Sequence, residues 1–127
     1  MKRDLDLCRA ILEAVEADPT GYAPSPLIMD GHGNEDVGYN ALMLVEAGFV
    51  TGRESSSFGG TPTAVIGRMT WKGHEFLDAV RNEDIWSKTK SIAGKAGVAS
   101  LEAVLGIAKD VGADAIKRVI GQHLGLP

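Results

Sequence analysis

Cysteine is nearly absent from this chain: Cys8 is the one thiol among 127 residues, which excludes an intrachain disulfide and suits a reducing compartment. Long apolar runs are missing too, so no stretch approaches the roughly 20 residues of a membrane-spanning helix. The opening Met1-Lys2-Arg3-Asp4-Leu5-Asp6 puts acids where a secretory signal needs an apolar core, and a cytoplasmic protein with no membrane span is expected. Positive charge is in deficit: 13 Lys and Arg stand against 17 Asp and Glu, a net charge of −4. That balance has the wrong sign for a general electrostatic hold on nucleic acid and disfavours DNA as a partner without removing it. The deficit is local, with nine basic against fourteen acidic residues in 1–90 and four against three in 91–127.

Catalytic and metal-binding patterns are lacking as well. His32, His74 and His123 are scattered, without the paired helical spacing to another His, Cys or acid that zinc requires. Gly31-His32-Gly33 is not followed by the Lys-Ser/Thr of a phosphate-binding loop. Cys8 lies on an apolar helical face with no basic partner to activate it. No cofactor, no metal and no enzyme activity are expected.

Apolar residues make up 44% of the chain, enough for one modest core, and their spacing organises it. Leu5, Cys8, Ile11, Leu12 and Val15 recur every three or four residues, predicting a first helix that ends before Asp18-Pro19-Thr20-Gly21. Leu27-Ile28-Met29 is short, apolar and partly β-branched, and reads as a brief strand. Asn34 is placed to cap a second helix opening with Glu35 and Asp36 and closing at Gly48 in a left-handed cap. Phe49-Val50-Thr51 and residues 64–69 predict a hairpin. Thr70 then caps a third helix and Asn82 a fourth, on which Ile85, Trp86, Thr89, Ile92 and Ala93 share a side.

After Ser100 comes the most regular segment. Leu101, Val104, Leu105, Ala108, Val111, Ala115, Ile116, Val119, Ile120 and Leu124 predict one amphipathic helix of about two dozen residues, some 36 Å long at 1.5 Å per residue. A domain of about 90 residues is roughly 26 Å across. A helix that long can overhang such a domain, so the first nine of these residues are the expected oligomerisation surface of a homodimer, with packing wholly on the chain's own domain as the alternative. An interfacial membrane helix is disfavoured by mixed charges on the polar side and by the lack of any aromatic after Trp86. The expected organisation is a domain over residues 1–93, a glycine-containing linker over 94–99, and the C-terminal helix over 100–127.

The order helix, strand, helix, hairpin, helix is the layout of a winged helix-turn-helix core with a β-hairpin wing, an α+β, mainly α class. The segments MKRDLDLCRAILEAVE, VGYNALMLVEAGFV and MTWKGHEFLDAVRNEDIWSKTK resemble a family of small proteins of bacteria, phages and prophages that carries a domain-of-unknown-function label. The likeness covers about residues 1–90 and is strongest at Thr70-Trp71, at residues 73–78, at Arg81 and at Trp86. It implies a winged-helix-like core and a phage-linked context, and implies no chemistry.

Two functions follow as expectations. The first is a regulator that binds DNA, with Tyr39, Asn40, Arg53 and Arg68 as contacts, and dimerises through its tail. Its difficulty is that the helix preceding the hairpin, which should enter the groove, has no Lys or Arg. The second is an acidic interaction module or inhibitor that binds a host or phage protein through Glu35, Asp36, Glu46 and Phe58.

Overall fold

The computed structural model of the chain describes residues 1–56, 60–98, 100–123 and 125. Among them it has five helices and one two-stranded antiparallel sheet, an α+β, mainly helical arrangement: α1 (Leu5–Ala17), α2 (Asn34–Glu46), β1 (Val50–Ser56), β2 (Pro62–Met69), α3 (Trp71–Val80), α4 (Glu83–Ala96) and α5 (Leu101–His123). The chain divides into two units, Met1–Leu77 and Asp78–Pro127, with the division inside α3. The glycine-containing segment at 94–99 falls within the second unit, where α4 packs along α5.

In the first unit, α1 starts at Asp4, whose carboxylate accepts the Leu7 N–H at 3.1 Å. This satisfies one of the donors that a helix leaves unpaired at its first turn. Leu7, Cys8, Ile11, Leu12 and Val15 form the buried stripe. The helix stops at Asp18, extended at φ −72° and ψ 123°, as the following Pro19 requires. The Asp18 carboxylate takes the Thr20 hydroxyl and N–H, and those hydrogen bonds hold it below the usual carboxylate range.

Residues 18–33 contain neither helix nor strand, so the strand expected at Leu27-Ile28-Met29 does not form. One hydrogen bond, from the Ala23 N–H to the Gly67 carbonyl at 2.8 Å, lays this segment beside β2. Pro24 and Pro26 have no N–H to donate, so the ladder goes no further. Helix α2 begins one residue earlier than expected: Gly33 is the cap, without a side-chain hydrogen bond, and Asn34 is already helical.

The exit from α2 is the best-defined turn in the unit. Gly48 has φ +80°, its N–H reaches the Val45 carbonyl, and the Phe49 N–H reaches the Leu44 carbonyl at 3.0 Å. This paired closure needs a left-handed residue, which glycine adopts without a Cβ clash. It delivers buried Phe49 against Phe76 of α3, ring centroids 5.0 Å apart, with the Lys72 ammonium 5.4 Å from the Phe49 ring centre. Gly73 permits that approach, since a Cβ there would lie 2.0 Å from the Phe49 carbonyl oxygen. The strands pair from Gly52↔Ile66 to Ser56↔Pro62, with a register shift between Val50 and Gly52. At the shift the Thr51 hydroxyl accepts the Arg68 N–H at 3.0 Å and donates to the Arg68 carbonyl at 3.4 Å, so a side chain stands in for the interrupted ladder.

Thr70 caps α3 as expected: its hydroxyl accepts the Gly73 N–H at 3.1 Å and donates to the Gly48 carbonyl at 2.6 Å. In the second unit, Asn82 caps α4 by accepting the Asp84 and Ile85 N–H groups. Helix α4 buries Trp86, Thr89 and Ala93, while Ile92, expected on the same side, is 45% exposed. Gly97, at φ +70°, ends the helix, and the Val98 N–H closes onto the Ala93 carbonyl at 2.8 Å. Ser100 then opens α5, its hydroxyl accepting the Ala103 N–H at 3.4 Å.

Candidate interaction surfaces

Asn40, expected as a nucleic-acid contact, is 1% exposed. Its side-chain oxygen accepts the Asp4 N–H at 2.8 Å and lies 3.5 Å from the Cys8 sulfur, while its amide donates to the Asp36 carbonyl at 2.9 Å and the Lys2 carbonyl at 3.5 Å. A buried amide with both ends satisfied ties α2 to the start of α1. It presents nothing to a partner. Tyr39 is half-buried, whereas Arg53 on β1 and Arg68 on β2 are both exposed. The Arg68 guanidinium donates to the Met69 carbonyl at 3.2 Å. Arg53 pairs with Val65 across the hairpin, so the two arginines stand three positions apart along β2, about 10 Å at strand spacing.

The acidic candidates divide in a similar way. Glu35 and Asp36 sit together, exposed, in the first turn of α2, and Glu35 accepts the Thr61 hydroxyl at 3.4 Å. Glu46 is exposed at the other end of the helix, about 16 Å away at 1.5 Å per residue. It forms no cluster with them. Phe58 lies outside the described residues.

Trp71, which the sequence reading left out of its candidate sites, is 85% exposed at the start of α3. The signal was available: Gly73, Phe76, Leu77 and Val80 trace one face of α3, and 100° per residue puts Trp71 on the opposite one. Trp and Arg are enriched among residues that dominate protein interfaces, and Arg68 is three residues away in sequence.

The nine residues of the expected oligomerisation stripe separate into two groups. Leu101, Val104, Leu105 and Ala108 are buried, so they serve the chain's own packing. Val111 and Ala115 are half-buried. Ile116, Val119 and Ile120 are exposed by 61%, 64% and 51%. They border an open groove of about 590 Å³ that also touches Ile85 of α4 and Ala113 of α5. Leu124, the last residue of the stripe, lies outside the described residues.

Burial pushes the Cys8 thiol up to about 12, with the Asp4 carboxylate adding to the shift. A thiol so held is protonated and inert at neutral pH. Among the described residues no group of three or more His, Cys, Asp or Glu side chains is placed to hold a metal ion, and no helix is long and apolar enough to cross a membrane.

The chain matches, over residues 2–99, the family described as "Hypothetical protein (DUF2513)". It belongs to that family. The DUF2513 match takes in the first unit and α4 and stops before α5. An "Uncharacterized protein" of Haemophilus influenzae is 34% identical over 116 residues, covering 87% of this chain and 95% of the relative. No solved structure matches the chain.

Proposed function

We propose that this DUF2513 protein is a winged-helix-type accessory protein of phage or prophage origin that acts in the bacterial cytoplasm by binding another protein, two copies being joined through α5. The order α1, α2, hairpin, α3 supports the winged-helix reading, with the hairpin as wing. One observation carries the preference for a protein partner. The helix that such a fold would aim at DNA exposes Glu35 and Asp36 in its first turn, while its one amide in the body of the helix, Asn40, is buried as a structural tie. That surface repels phosphate and suits a basic patch, such as that of a nucleic-acid-binding protein. Trp71 supplies an exposed aromatic anchor in the same unit.

The test is to crosslink the protein in host cells, purify the captured partner, and measure its affinity for wild type and for Glu35→Lys/Asp36→Lys. Weakening by roughly tenfold or more is expected from reversing two charges at an interface. An unchanged affinity would remove the acidic turn from the reading.

A DNA-binding regulator is the second reading, favoured by the exposure of Arg53 and Arg68 on the hairpin. Fluorescence anisotropy with mixed-sequence duplex at low salt separates the two. Binding that is lost in Arg53→Ala/Arg68→Ala favours DNA; no binding, or binding indifferent to both changes, favours the protein partner.

A further inference from the structure

Helix α5 has 23 residues and α4 has 14, about 34 Å against 21 Å at 1.5 Å per residue. Where α4 runs out, α5 still carries Ile116 and Ile120 in the open. At 100° per residue these two share a face with Gly106, Lys109 and Ala113, and Asp110 and Lys117 run along one flank of it. All seven are exposed. Two features of this face have no use within the chain. Gly106 makes no close approach, since a Cβ there would meet nothing within 4 Å. Asp110 and Lys117 have no ion pair among the described residues.

We infer that this face receives the same face of a second copy, antiparallel, with the two-fold axis passing at Ala113. The inference rests on the dimer reading above and specifies its arrangement. An antiparallel two-fold pair sets each residue a given number of positions after Ala113 opposite the residue the same number before it in the other copy, and keeps each flank on the same side. Ile120 then falls over Gly106 of the second copy, the glycine supplying the hollow. Ile116, one position out of level with the second copy's Lys109, lies along that residue's aliphatic stem, which is able to cover apolar surface. Lys117, four positions after the axis, stands on the same flank as Asp110 of the second copy, three positions before it and so about 1.5 Å off its level, and the symmetry makes that ion pair twice. Ala113 meets its own counterpart, where a small side chain lets the helices approach closely. A parallel pair would set opposite flanks together and carry Asp110 and Lys117 of one copy to the far side of the interface from those of the other, so the Asp110–Lys117 pairing requires the antiparallel arrangement.

Ala113→Cys tests the axis, because only residues near it meet their own copies. Under mild oxidation the full-length variant should form a disulfide-linked dimer. Wild type, whose thiol is buried Cys8, and a Ser91→Cys control on exposed α4 surface should not. Lys117→Asp tests the flank: dissociation by analytical ultracentrifugation should rise by roughly tenfold or more as two ion pairs become two repulsions, and Asp110→Lys/Lys117→Asp should restore it. Circular dichroism checks that each variant keeps its helices. A wild type that dimerises while Ala113→Cys does not crosslink and the charge variants associate normally overturns this arrangement and leaves the dimer reading standing. A wild type that is monomeric by light scattering up to high micromolar concentration overturns both.

Discussion

Asn40 is the residue whose chemistry and position diverge most. An amide on the helix before a hairpin is a reasonable base-reading group, and its type and spacing were legible in the sequence. What was not legible is that the same turn of α2 meets the capped start of α1, where the Asp4 N–H and the Asp36 carbonyl need a two-ended partner. Asn40→Ala should cost about 2 kcal/mol in urea denaturation, the usual penalty for leaving such groups unpaired; a loss below about 0.5 kcal/mol would contradict the structural role. Cys8 beside it was read correctly as a core thiol from its helical phase alone. It should resist alkylation in the native protein and react on unfolding. Its folded thiol titrates at about 12, against about 8.5 for an unfolded one. The stability it contributes is therefore whole below the unfolded value and is lost as pH rises toward the folded one. The urea midpoint should fall between pH 8 and pH 10 more steeply in wild type than in Cys8→Ala.

Elements were legible where a local signal closes them. Thr70, Asn82 and Gly48 end or begin helices as their side chains, or the lack of one, dictate. The strand at residues 27–29 failed because β-propensity says nothing about donors, and the prolines ahead of it remove two. Gly48→Ala should cost about 1 kcal/mol from forcing a Cβ into a left-handed turn. Gly73→Ala should cost more than roughly 2 kcal/mol, because its Cβ would overlap the Phe49 carbonyl and drive α3 off the hairpin. Thermal melts of the two variants should rank in that order; equal melting temperatures would show that the α3 contact yields without strain.

At the scale of the whole molecule, the chain is two units, each with its own helical packing. The glycines at 94 and 97 lie inside the second unit, because a glycine-rich turn marks the end of a helix without saying which neighbours the helix keeps. If folding is linked to dimerisation through α5, the melting temperature should rise with protein concentration by mass action, and Lys117→Asp should flatten that dependence. A concentration-independent melt in wild type would separate stability from association.

The sequence by itself determined the class of the protein, its helices, its hairpin and the existence of an apolar stripe on α5, because these depend on periodicity and on caps acting within a few residues. Its net charge of −4 also disfavours DNA on composition alone. Only the tertiary structure decided which side chains remain available. It took Asn40 into a buried tie, put Trp71 at the surface with most of its ring in solvent, and divided the α5 stripe after Ala108. The reason is one of length: α4 covers what 14 residues reach along a helix of 23, and a pattern that repeats every 3.6 residues holds no record of where its neighbour stops.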